Sequence, residues 1–432
     1  MSKFQIAIIL FLVLAAFVAV LIFAGVLPGF NQKGGSKNAV AVSLWGPFPD
    51  REIRPLISKF NEDNADFFNV SYAEKNPANY EKELLNAMAS GNSPDVWFVS
   101  QDMVLQYKDK ILNVPFSSFP ERNFKDIFID SGEVFLDGQQ GGVTAFPFMI
   151  DPLVLYWNRD LFSSASIAQP PKYWDEFLVD SGVLTKTNDS GNIIQSGAAL
   201  GEFRNIRNAK EILSLMILQA GNKIIDPVEL NVVWNNRGNS TLAPAENSLR
   251  FFGEFSNPKK TSYSWNRSLA DSRSMFAGGK LAMYFGYASE FGQIKEMNPH
   301  LNFDITPVPQ MKNGPVNATF ARIYALAISR TSPNSQGAVS LIYALLEKNF
   351  NNQFAESLSL APARRDALAE GNKNQVLSVF YKSAVMARTW LEPDSEAVSA
   401  IFKNMIESTT TGKQRISEAV TEATAQLENL LK

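Results

Sequence analysis

The side chains that most often carry covalent chemistry are nearly absent from this sequence. Across 432 residues there is no cysteine and one histidine, His300, which follows Pro299. Without a thiol there is no disulfide, thiolate nucleophile, iron–sulfur ligand or cysteine-borne lipid anchor. With one imidazole there is no Ser-His-Asp set that avoids His300, no His-Glu-x-x-His helix and no multi-histidine metal site. Gly278-Gly279-Lys280 resembles a phosphate loop only in part. The first glycine at the required spacing and a hydroxyl residue after the lysine are missing, so the segment reads as a helix stop. Noncovalent chemistry remains, carried by carboxylates and by an aromatic fraction of 12% that includes seven tryptophans.

Composition narrows the class further. Forty basic residues stand against 43 acidic ones, a net charge of −3 with no basic tract, so there is no phosphate-neutralising surface and no nucleic-acid partner is expected. At 45% hydrophobic the chain is too apolar to be disordered. Residues 4–27 carry no charge and only Gln5 is strongly polar; as a helix this run spans about 36 Å, enough to cross a bilayer. A cleavable signal peptide has a shorter apolar region that ends in small residues, whereas here the small residues lie inside the run. The segment therefore reads as an uncleaved anchor. Lys3 on one side faces Lys33 and Lys37 on the other, so charge leaves the orientation open. With three residues before the helix, the bulk of the chain follows it, and the expected arrangement is a cytoplasmic N-terminus with an extracytoplasmic body. Residues 28–38, with Gly29, Gly34 and Gly35, read as a flexible linker.

After the linker the pattern alternates. Residues 41–45 read as a buried strand, and Asp50 caps a helix whose Ile53, Leu56, Ile57 and Phe60 fall at helical spacing. Residues 69–74 form a second strand, Asn79 opens a helix that ends at Gly91, and residues 94–100 form a third strand. This βαβαβ order predicts a parallel sheet with right-handed crossovers, in which ligands gather beyond the carboxyl ends of the strands. Trp45-Gly46 and Ser100-Gln101-Asp102 occupy those ends. Residues 142–148 and 153–157 are strand-like, with Asp151-Pro152 between them as the point where the chain leaves one sheet for another. Helices are expected at 209–219, 245–255 and 268–277, and strands at 281–285, 302–308 and 324–329. From residue 335 the pattern is helical nearly to the end, with breaks at 360–362 and 392–393 and a final amphipathic helix at 416–431. No internal repeat is present.

In order and spacing, several segments together resemble the extracellular solute-binding proteins of family 1, the sugar-binding receptors of ATP-driven importers related to maltose-binding protein. They include Leu44-Trp45-Gly46, Asn79-Tyr80 with Ala87 to Asp95, Phe146 to Asp151, Leu155 to Phe162, Pro170 to Asp175, Phe276 to Met283, Pro307-Val308-Pro309 and Pro362 to Arg365. The match runs almost from Val40 to Leu431. The resemblance implies an α/β, two-lobed periplasmic-binding-protein-like fold with a multiply crossed hinge, here preceded by one transmembrane helix. The expected division is an anchor at 4–27, a linker at 28–38, a first lobe from 39–151 and 305–348, and a second lobe from 152–304 and 349–432. Many relatives carry a lipoprotein cysteine or a cleaved signal; this chain has neither, and a membrane helix takes their place.

A sugar presents hydroxyls that donate and accept, and C–H faces that pack flat on rings, so its site needs aromatics beside carboxylates and amides. By position, Trp45 forms one wall and Asp102 accepts from adjacent hydroxyls, against the plainer readings of core packing and helix capping. By resemblance, Asp151 matches an acidic ligand-contacting position and Tyr287 a stacking aromatic at the end of a strand. Trp265 and Trp390 lie in irregular segments where a purely core tryptophan is less expected, and Arg322 is a candidate donor or a structural salt bridge. Trp97, Trp157 and Trp174 read as core. The expected partners are a carbohydrate, an oligosaccharide by the number of aromatics, the membrane subunits of an importer, and the membrane through the N-terminal helix. The ectodomain is expected to be a monomer, with no cofactor, no metal and no catalytic residue. Two alternatives stand: a glycoside-processing enzyme, which needs two carboxylates about 5 to 10 Å apart, and a tethered sugar sensor without transport.

Overall fold

The computed structural model describes residues 39–237 and 243–432; the expected membrane anchor at 4–27 and the linker at 28–38 lie outside them. Among the described residues no helix is long and apolar enough to cross a membrane. The chain begins as its periodicity predicts. Strand β1 (Val40–Gly46), helix α1 (Asp50–Asp63), strand β2 (Phe68–Glu74), helix α2 (Tyr80–Ala89) and strand β3 (Val96–Ser100) follow in turn. β1 lies between β2 and β3 and is parallel to both. All five residues of β3 are buried, as a parallel strand covered on both faces requires. α1 buries Ile53, Ile57 and Phe60. Asp50 does not cap it: the helix follows Pro49, and the Asp50 carboxylate is taken by Arg54.

The expected pair of strands around Asp151-Pro152 is one continuous strand, β4 (Phe146–Asn158), buried everywhere except at Trp157. Proline lacks the N–H that a sheet ladder needs, which argues for a turn. The change of sheet expected at Asp151-Pro152 is there, made without a break in the strand, and the Pro152 carbonyl accepts from Ala288 N–H at 2.9 Å. Beyond it come β5 (Ile193–Ala198), α3 (Ala209–Gln219), β6 (Leu281–Tyr287), α4 (Glu290–Met297) and β7 (Phe303–Pro307). The second half of β4 lies antiparallel between β6 and β7, and β5 extends that sheet from the far side of β6.

The first half of β4 pairs antiparallel with β8 (Thr319–Ile328), which lies antiparallel to β3 on its other side. Two sheets thus share one strand. Each has its own core: one cluster holds Val42, Trp97, Ile150, Ala321 and Leu326, the other Leu153, Tyr156, Phe285, Ile305 and Phe320. The chain passes between the cores at Pro152, again between Phe320 and Ala321, and a third time along the C-terminal segment, where Phe380 and Trp390 join the second core while Tyr381 and Leu391 join the first. The boundaries expected from sequence at 304/305 and 348/349 fall inside β7 and at the first residues of a helix. β7 at 303–307 belongs to the second lobe through β4, and helix α5 (Lys348–Ser357) to the first through Phe354 and Ala355. Helices α6 (Gln375–Val385), α7 (Ser395–Thr410) and α8 (Ile416–Leu430) complete the chain.

Candidate functional site

Between the lobes lies a cavity of about 710 Å³, at the carboxyl ends of β1 and β3. Its first wall starts at Phe48, held between Pro47 and Pro49 just past β1. The Tyr72 hydroxyl accepts from Phe48 N–H at 3.1 Å and donates to its carbonyl at 2.7 Å, which fixes the loop. The Phe48 ring stands edge-on to Phe98 at 4.9 Å and to Tyr324 at 5.0 Å. Beyond β3, Ser100 donates its hydroxyl to the Asp102 carboxylate, and both residues line the cavity.

The floor is β8. Arg322 and Tyr324, two residues apart and hence on one face of the strand, both point into the cavity. Gln101 anchors this strand to the turn after β3 by accepting from Ile323 N–H at 2.8 Å. The Arg322 guanidinium lies 4.7 Å from the centre of the Tyr287 ring. Among the described residues no ion pair is formed by Arg322, so it is a charge supported by a ring and left with donors for another group. The opposite wall is contributed by the second lobe through Ser289, Gln293 and Glu296.

On the neighbouring strand β4, Asp151 is fully buried opposite Arg322 in register, and accepts from Ser289 N–H at 2.9 Å and from the Ser289 hydroxyl at 2.6 Å. Burial pushes its carboxyl up to about 6, although the Ser289 bonds and the Arg322 charge pull it down. Farther back, the Lys210 ammonium at the start of α3 sits 2.6 Å from Glu392 and 3.6 Å from Glu211. Burial pushes the Glu392 carboxyl up to about 7 against the pull of Lys210, and the charges of Asp102 and Glu211 add to the rise. Asp102, on the first lobe, is thus felt electrostatically by groups of the second. Its charge also raises Glu81 on the same side, after burial, the largest cause.

Of the residues singled out from sequence, the structure brings Asp102 and Arg322 together on the cavity wall and sets Asp151 and Tyr287 immediately behind it. Tyr287 is 5% exposed and serves as the platform for Arg322 rather than as a surface of the cavity. Three tryptophans are placed elsewhere. Trp45 lies off the cavity lining with the Lys75 ammonium 3.7 Å from its ring centre. Trp265 is fully buried in the second core, its indole N–H donating to Asn205 at 3.0 Å. Trp390 is 2% exposed and stacks on Phe402 in the same core. An irregular segment can lie across a core as well as over a cleft, which is why the expectation for these two misplaced them. Phe48 and Tyr324 were missed. The signal for Phe48 was its position between two prolines at a strand end; for Tyr324 it was the two-residue spacing from Arg322.

The chemistry of this wall is that of binding. Asp151 is sealed from the cavity and cannot act with Asp102 across a bond of a bound molecule. Among the described residues no group of three His, Cys, Asp or Glu side chains is placed to hold a metal.

The sequence and the fold have relatives. A binding protein of Brucella abortus strain 2308 is 21% identical over 420 residues, which cover 88% of this chain and 93% of that one. The crystal structure of the cyclic α-maltosyl-1,6-maltose binding protein from Arthrobacter globiformis superposes with a TM-score of 0.73 at 16% identity, covering 91% of this chain and 99% of that one. The sugar-binding protein MalE of the phytopathogen Xanthomonas citri gives 0.70 at 19% identity, covering 91% and 97%. These structural likenesses establish the two-lobed α/β architecture, and the sequence family describes binding proteins rather than enzymes. Residues 55–379 match the model of the bacterial extracellular solute-binding proteins, and the chain belongs to that family.

Proposed function

We propose that this protein is a membrane-tethered, extracytoplasmic receptor that captures a carbohydrate, specifically an oligosaccharide, between its lobes and delivers it to an ATP-driven importer. The observation that carries the ligand class is the cavity wall itself, where the rings of Phe48 and Tyr324 stand beside the Asp102 carboxylate, the Arg322 guanidinium and the Ser100 and Ser289 hydroxyls. Rings suit the C–H faces of a sugar, while the polar groups supply both acceptors and donors for its hydroxyls. Sugar-binding names among the structural neighbours support the same class. In this reading Asp102 accepts from ligand hydroxyls, Arg322 donates, and Asp151 and Tyr287 hold Ser289 and Arg322 in place. The ligand favours the closed arrangement because only there do Ser289 and Gln293 meet it together with Asp102. Residues 4–27 supply the tether, which keeps the receptor at a raised effective concentration near its permease.

The test is a calorimetric and thermal-shift panel on the chain from residue 39, with mono- and oligosaccharides against amino acids and polyamines. A ligand at a hundred times its Kd stabilises the fold by about 2.7 kcal/mol. Saturable binding of an unaltered oligosaccharide is expected; response to the amino acids or polyamines alone overturns the ligand class.

A further inference from the structure

The second lobe holds another cavity, of about 570 Å³, and none of its lining residues belongs to the interlobe cleft. Its walls are apolar: Trp174, Met216 on α3, Phe251, and Met311 with Pro315 from the stretch that leads into β8. Trp174 keeps no donor for a ligand, because its indole N–H is spent on Gln219 Oε1 at 2.6 Å, while its ring stacks on Phe285 and stands edge-on to Phe251. Gln219 in turn donates to the carbonyls of Pro309 and Ala318, both at 2.9 Å, which holds the 309–318 stretch against α3 and keeps the cavity open between them. A single charged residue, Arg237, stands on this wall among the described residues. It is exposed and makes no ion pair among the described residues.

We propose that this cavity is a second ligand site, one that takes a small amphipathic monoanion with an aromatic or aliphatic body and one carboxylate head. The volume falls within the range of small-molecule sites, roughly 300–1,000 Å³, which are mostly apolar with a few placed polar groups. The apolar walls receive the body, and Arg237 pairs with the head through its planar fork of donors. A sugar does not suit these walls, which offer few partners for a shell of hydroxyls, so the site differs in ligand class from the cleft and does not rest on the reading of the cleft. The two sites are nevertheless structurally adjacent. Phe285, under Trp174, lies two residues before Tyr287 on β6, and the 309–318 stretch enters the strand that carries Arg322.

The probe is 4-(trifluoromethyl)benzoate, followed by fluorine NMR in a titration of the full chain. The expected result is saturable binding at one equivalent that saturating sugar does not displace. Arg237→Met, at an exposed position that leaves the core intact, is expected to weaken binding by about tenfold or more, and the neutral 4-(trifluoromethyl)benzamide is expected to bind the wild type correspondingly less well. Absence of saturable binding, displacement by sugar, or equal affinity of Arg237→Met and wild type for the carboxylate would each overturn the proposal. The amide comparison separates the charge from the fold, since it uses the unmodified protein.

Discussion

Arg322 faces the cleft over the Tyr287 ring, with the buried Asp151 opposite it in register but bonded to Ser289. A guanidinium paired internally has little to offer a ligand, whereas this one is pre-aimed and keeps its donors. If it meets ligand oxygens together with Asp102, then Arg322→Met and Asp102→Asn each raise the Kd for the identified solute by about tenfold or more, and Asp102→Asn leaves the unfolding midpoint of the ligand-free protein nearly unchanged. Calorimetry with denaturation of the same samples checks both halves. Asp151 makes a different prediction. Its carboxyl, raised to about 6 from 3.8, binds more protons folded than unfolded, so its contribution is complete below about pH 4 and is lost as pH rises through about 6. Between those limits the wild type should lose stability relative to Asp151→Asn by about 2 to 3 kcal/mol, read from urea unfolding at several pH values. Arg322 could be named only from its place near the hinge, ahead of the strand expected at 324–329, whereas Asp102 was legible because it lies just past the end of a strand. Trp265 and Trp390 were not, because an indole is equally at home in a core, and only packing reveals which face of a loop turns inward.

At the scale of elements, the alternation from β1 to β3 was readable because each strand is a short apolar run and each helix has a 3.6-residue stripe. β5 was not, since Ile193-Ile194 is followed by Gln195-Ser196-Gly197-Ala198, too little apolar surface to announce a strand. That strand depends on close backbone approach instead. A Cβ added at Gly197 would stand 2.0 Å from the Ser181 carbonyl oxygen, with two further Ser181 backbone atoms within 3 Å. Gly197→Ala should therefore push the helix carrying Ser181 off the sheet and cost roughly 1 to 3 kcal/mol or more, seen as a lowered denaturant midpoint with the secondary structure largely kept. β4 shows a different limit. The change of sheet at Asp151-Pro152 was legible, but the continuity of 146–158 as one strand was not, because a proline marks a break in one ladder and here the ladder changes at that residue.

On the scale of the whole molecule, local pattern tells what an element is but not which sheet it joins. The expected lobe boundaries at 304/305 and 348/349 therefore fall inside β7 and at the start of α5, although both elements were recognised in kind. The paired cores and shared strands suit hinge bending, and the absence of native cysteine makes it directly measurable. With spin labels at Lys59→Cys on α1 and Lys295→Cys on α4, both exposed, the identified solute is expected to shift the distance distribution toward shorter and narrower values. An unchanged distribution at saturation would remove closure from the proposed mechanism.

The position of β8 also dictates an order of events during synthesis. This strand sits between β3 and the first half of β4, yet it is made last of the three, at 319–328. Until those residues emerge, β3 and β4 present open hydrogen-bonding edges with no partner between them, while the second sheet, built from 153–307, already has every strand it needs. The first sheet therefore stays open until 319–328 emerge, and the nascent chain carries it unfinished through a long stretch of elongation, a stage at which a holding chaperone would find its largest target.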